Sequence, residues 1–160
     1  MKKIIERIRS GGQTGADRAA LDAARDAGVP IVGWCPKGGW AEDYPNPPGL
    51  CLAYPELKET PSLQTEQRTE WNVRDSNATL ILYQTGKTDS PGTSLTEKIS
   101  AELKKPFLVA DANNQEKIFS WLKTLGKGIT LNIAGPRESE SPGIYNNVYS
   151  LVEKLLKEFA

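Results

Sequence analysis

Short apolar runs alternate with longer amphipathic ones along this chain. Residues 4–10 form a strand-like lead-in. Residues 14–27 carry Ala16, Ala20, Ala23, Ala24 and Ala27 at helical spacing, which predicts a helix with one small apolar face. Gly28 closes that helix and Pro30 stops it. Residues 31–34 read as a second strand. The stretch 35–61 is so dense in proline and glycine that it excludes a long helix and a central strand. Residues 63–76 read as a helix and 79–83 as a strand. A helix over 94–104 is stopped by Pro106, and a short strand over 107–110 follows. A helix over 115–125 closes at Gly126, and 129–134 is the last strand. The final helix sets Ile144, Val148, Leu151, Val152, Leu155 and Phe159 on one apolar stripe.

Strands alternating with helices predict an α/β fold around a mostly parallel sheet of about five strands. The length, 160 residues, fits a single domain over 1–160. Arg7 and Arg9 interrupt the first strand, where a central parallel strand should be nearly continuous in apolar residues.

Composition narrows the chemistry. Lys+Arg and Asp+Glu are both 20, so the formal net charge is 0. That balance gives no basic footprint for nucleic acid and no polybasic membrane anchor. No apolar run approaches the roughly 20 residues of a membrane span, and the N-terminus has no signal-like apolar core. A cytoplasmic location is the expectation. The chain has no histidine, which excludes Ser-His-Asp and Cys-His machinery and histidine zinc sites. No metal site is expected, and the only two cysteines, Cys35 and Cys51, are expected to be reduced thiols.

The candidate chemistry sits in loops after strands. Ser10-Gly11-Gly12-Gln13-Thr14-Gly15-Ala16-Asp17-Arg18 joins the first strand to the first helix. Glycines there allow a tight turn and close ligand approach, and a helix N-terminus offers N–H groups to an oxyanion. A turn merely capped by Thr14 accounts for the spacing equally well. Substituting Gly12 by Asp is expected to block a ligand while leaving the fold intact. Ser90-Pro91-Gly92-Thr93-Ser94-Leu95-Thr96 is a second such loop, in which Thr93 or Ser94 can cap the next helix. Loops at the carboxyl ends of parallel strands converge on one edge, so the two can share a ligand. After the last strand, Asn132 stands in a buried-looking run and Arg137 can fork onto a phosphate or carboxylate. After the second strand, Trp34 and Trp40 can stack on a flat ring and Lys37 supplies charge. Arg68, Asn72 and Asp75 share one face of their helix and can line the same cleft.

Taken together, these blocks resemble the molybdenum-cofactor carrier family. They are Ser10 to Arg18, Gly33-Trp34-Cys35-Pro36-Lys37-Gly38, Arg68-Thr69-Glu70-Trp71-Asn72-Val73, Gly92-Thr93-Ser94-Leu95-Thr96 and Leu131 to Ser139. They occur in that family's order and cover nearly the whole chain. The resemblance implies a three-layer Rossmann-like fold, related to lysine-decarboxylase-like and cytokinin-activating phosphoribohydrolase proteins. It also implies a homo-oligomer, dimer or tetramer, and a phosphate-bearing ligand, with molybdopterin as the carried molecule. In the hydrolase relatives the phosphate loop reads Pro-Gly-Gly-x-Gly-Thr-x-x-Glu. Here Thr96 stands where that catalytic glutamate would be and Glu97 is one residue later, about 100° around the helix.

The primary expectation is therefore a binding protein without catalytic residues. Gly11, Gly12, Gln13, Thr14, Gly15, Gly92, Thr93 and Ser94 would cradle the phosphate. Lys37 and Arg137 would supply charge, Asn72 and Asn132 would orient the ligand's polar edge, and Asp17 belongs to the same site. The alternative is a nucleotide N-glycosidase or phosphoribohydrolase using Asp17, Glu42 or Asp75 to activate water.

Overall fold

A computed structural model describes residues 3–85 and 91–160. Six strands form one parallel sheet: β1 (Ile5–Arg9), β2 (Ile31–Cys35), β3 (Leu57–Glu59), β4 (Ala78–Tyr83), β5 (Phe107–Asp111) and β6 (Ile129–Ala134). Their order across the sheet is β3-β2-β1-β6-β4-β5. The helices are α1 (Ala16–Asp26), α2 (Leu50–Ala53), α3 (Thr65–Arg74), α4 (Pro91–Glu102), α5 (Gln115–Leu122) and α6 (Ile144–Phe159). The expected parallel α/β architecture is present, with two additions from the proline-rich stretch, β3 and the single turn α2. Three-residue β3 lies at the sheet edge, where that density of proline is tolerated.

The two faces of the sheet differ in chemistry. On one, Ile8, Leu80, Leu82, Leu131 and Ile133 pack with α1, α5 and α6 into the main apolar core. Ala16, Ala19, Ala20, Ala23 and Ala24 are all buried, and their small side chains let α1 lie close against α6. Ala27, expected on that stripe, is instead the exposed cap residue. The stripe foreseen on α6 is buried throughout. Phe119 of α5 meets Phe159 of α6 edge to face, at 5.1 Å between ring centroids.

On the other face lie α3 and α4. Successive strand residues point to opposite sides, so Arg7, Arg9, Thr79, Thr130 and Asn132 all point here. This accounts for the arginines that interrupt β1. Arg7 donates to Thr130 Oγ1 at 3.2 Å, and β1 carries a register shift against β6 between Ile5 and Arg7. The apolar side chains buried on this side are few, Val73, Ile81 and Ile99 among them, and they stand apart from the main core. A layer with buried hydroxyls and amides and little apolar filling leaves room for a polar cleft.

Cys35 and Cys51 are free thiols with their sulfurs 3.7 Å apart. Burial, with Cys51 beside it, pushes the Cys35 thiol up to about 12. Two thiols are expected to titrate in unfolded protein without reductant, and Cys35 should react slowly in native protein at pH 8. Finding no free thiol in the unfolded chain would overturn the assignment. Among the described residues no helix is long and apolar enough to cross a membrane.

Candidate functional site

A cleft of about 320 Å³ opens at the carboxyl edge of the sheet, over β1, β6 and the start of α4. Gly11, Gln13 and Asp17 wall one side. Thr65, Arg68, Thr69 and Asn72 of α3 form another, Asn132 to Gly135, Arg137 and Glu140 a third, and Trp40 and Thr96 complete it.

At its centre Arg68 donates to the Gly11 carbonyl at 3.0 Å and lies 3.8 Å from Asp17 Oδ2. Both side chains are nearly buried, about 12% and 11% exposed. Asp17 also accepts from the Gln13 N–H at 3.3 Å and from the Gly135 N–H. Burial raises the Asp17 carboxyl from an ordinary 3.8 to about 6, against the opposing pull of Arg68 and these N–H groups. Gly11 lies directly beneath this guanidinium, and a Cβ there would lie 2.4 Å from Arg68 Nη1 and displace it.

The glycine turn is organised differently from a phosphate cradle. The cap of α1 is Gly15 at φ +79°, with no side-chain cap, so Thr14 does not cap the helix. The Gln13 side-chain oxygen accepts from the N–H groups of Thr14 and Glu42 at 3.0 and 2.9 Å. Thr14 Oγ1 donates to Glu42 and accepts from the Glu138 N–H. The Ala16 N–H reaches the Pro136 carbonyl at 3.2 Å. The loop after β6 therefore closes over Thr14, Gly15 and Ala16. Gly12 faces the core, since a Cβ there would lie 3.0–3.1 Å from Leu57 and Leu50 at φ +76°. Gly12→Asp would press a carboxylate against two leucines, so the expectation that this variant keeps its fold is corrected.

Gly11, Gln13, Asp17, Asn72, Asn132 and Arg137 of the sequence-derived set reach the cleft. Both ends of the Asn72 amide close at 2.9 Å onto the Trp34 backbone, clamping α3 to β2 and leaving little of that amide for a ligand. Asn132 donates to Thr79 Oγ1 at 3.3 Å. Lys37 is exposed and lines the adjoining groove instead. Helix α4 starts at Pro91, earlier than expected, so Gly92, Thr93 and Ser94 belong to its first turn. Thr93 is half-buried and Ser94 exposed, while Ser90 lies outside the described residues.

Of the two tryptophans foreseen as stacking partners, Trp40 lines the cleft. Trp34 packs edge to face on Trp71 and donates its indole N–H to Asp75. Asp75 is held well below the usual carboxylate range, chiefly by Arg74. Glu42 is tied to Thr14, Ser139 and Arg137. Of the three carboxylates weighed as bases, Asp17 alone is in the cleft wall. Thr96 is buried in that wall and Glu97 is exposed, as the one-residue offset predicts. Arg68 shares a helix face with Asn72, a spacing visible in the sequence. Glu140 and Thr65 had no comparable signal.

A three-layer parallel α/β arrangement with a polar cleft at the carboxyl edge of its sheet defines a Rossmann-like fold. The chain belongs to the circularly permutated YpsA SLOG family, whose profile matches residues 8–156. The strand order accords with that description. Starting the chain at β6 would renumber the sheet 4-3-2-1-5-6, an ordinary doubly wound order, and β6 sits centrally because its unit comes last here. A crystal structure of a "Putative molybdenum carrier protein" from Syntrophus aciditrophicus SB is 40% identical, with a TM-score of 0.85 over 98% of each chain. No curated protein matches the chain.

Proposed function

We propose that this protein binds and carries a phosphate-bearing heterocycle without altering it, the molybdenum cofactor, molybdopterin, being the cargo to test first. The observation that carries the reading is a pair of guanidinium groups, Arg68 and Arg137, in the wall of a cleft at the carboxyl edge of the sheet. Two planar forks suit an oxyanion better than lysines do. Gly11, Gln13, Thr96 and Asn132 supply polar groups around it, while Gly12, Thr14 and Gly15 shape the turn. The likeness to the "Putative molybdenum carrier protein" of Syntrophus aciditrophicus SB supports a molybdenum-bearing cargo. We place the protein in the cytoplasm as a homo-oligomer. Light scattering behind a sizing column tests the assembly, and the mass of a single chain would remove it.

A second reading rests on Asp17. A cleft carboxyl at about 6 is poised to take a proton near neutrality, as hydrolysis of a nucleoside monophosphate would require. Incubation with nucleoside monophosphates and molybdopterin separates the two. Intact ligand recovered with the protein is expected. Release of free base would replace the carrier by an N-glycosidase, and binding of none of these compounds would overturn both.

A further inference from the structure

Next to the cleft lies a larger groove of about 730 Å³, formed by the proline-rich stretch before α3 and by the start of that helix. Its lining is more apolar than the cleft's. Pro45, Pro47, Leu63 and Trp40 supply the apolar part, and Lys37, Glu59 and Glu66 the charged part. Leu63 is 74% exposed, although a leucine at that place could have been replaced by any polar residue without loss of packing. The two cavities adjoin, because Trp40 and Thr65 line both.

Trp40 is held firmly in that shared wall. Gly39, just before it, sits at φ +66°, and a Cβ there would meet the Pro48 carbonyl at 2.2 Å. Ala41, just after it, exchanges backbone hydrogen bonds with Tyr44. An indole fixed between an arginine-bearing cleft and an apolar groove is placed to receive a flat ring attached to an anion.

We propose that the ligand is gripped in two parts. Its phosphate lies in the cleft with Arg68 and Arg137, and its planar heterocycle lies in the adjoining groove against Trp40, Pro47 and Leu63. The inference rests on the carrier reading for its anion end and adds the ring subsite. The shared indole wall, with guanidinium groups on one side of it and proline and leucine on the other, carries it. Stacking of a ring on an aromatic side chain should be worth roughly fivefold to a hundredfold in affinity.

The test compares ribose 5-phosphate, which has no ring system to stack, with guanosine monophosphate and neopterin monophosphate, by calorimetry and tryptophan fluorescence. At least one ring-bearing probe is expected to bind about tenfold tighter and to quench emission. Trp40→Ala should weaken that probe about tenfold more than it weakens ribose 5-phosphate. Leu63→Asp, at an exposed position that cannot disturb the core, should weaken the ring-bearing probe alone. Equal affinity for all three probes, or equal weakening of all three in Trp40→Ala, overturns the ring subsite and leaves the anion site standing. Binding of none of the three overturns the anion site, and the ring subsite falls with it.

Discussion

An Arg68→Met protein is expected to bind ribose 5-phosphate about a hundredfold more weakly, roughly 3 kcal/mol, as measured by calorimetry. Methionine keeps the length and apolar stem of the side chain, so packing of α3 on the sheet is largely preserved. The guanidinium is lost from the middle of the cleft, between the Gly11 carbonyl and Asp17. The same change should make stability more dependent on pH. Asp17 already titrates at about 6 rather than 3.8, so its contribution to folding is fully present below 3.8 and is lost as pH rises through 6. That displacement corresponds to roughly 3 kcal/mol. Without Arg68 the carboxyl moves higher still, and the added cost appears only where the wild-type group is ionised. Unfolding free energies of variant and wild type should therefore differ least at pH 5, where only the hydrogen bond to the Gly11 carbonyl is lost, and separate further between pH 6 and 8, by roughly 2 kcal/mol. An equal loss at pH 5 and pH 8 would show that Arg68 does not act on Asp17.

Gly15→Ala is expected to destabilise the protein by roughly 3 kcal/mol or more, enough to unfold a marginal domain. Two causes add. The residue sits at φ +79° and ψ −127°, a region almost confined to glycine, where a side chain costs about 1–3 kcal/mol. Its Cβ would also lie 2.4 Å from the Pro136 carbonyl and 2.7 Å from the Glu138 nitrogen, so the loop after β6 would be forced off the start of α1. Gly143→Ala is the control. Gly143 has φ +92° and ψ −7°, the milder left-handed helical region, and nothing within 4 Å of its Cβ position, so only a conformational cost of about 1 kcal/mol applies there. Thermal unfolding of both variants checks the contrast. Similar losses in the two would mean that the loop gives way without cost and that the clamp on Gly15 is not a stabilising contact.

The parallel α/β character, α1, α6 and every strand but the short edge strand β3 were legible in the sequence because each is written within a few residues. An alanine stripe at helical spacing and an apolar run between breakers need no knowledge of the rest of the chain. The Thr96 and Glu97 offset was equally local, since rotation around one helix fixes which of the two faces the cleft. Strand order was not legible. Nothing near residues 129–134 says that this last strand enters between β1 and β4, because pairing partners are chosen by packing over the whole sheet. The glycine turn shows the same limit. Spacing placed Gly11, Gly12, Thr14 and Gly15 together at a strand end, but only the tertiary contacts give them different neighbours. Gly11 meets Arg68 in the cleft, Gly12 meets Leu50 and Leu57 in the core, and Gly15 lies under the loop after β6. Likewise Arg7 and Arg9 break the expected apolar run of β1, and the reason lies in the polar layer beneath α3 and α4. Local sequence fixes the conformation of each segment, whereas the surroundings of a side chain depend on residues more than a hundred positions away that only folding brings alongside.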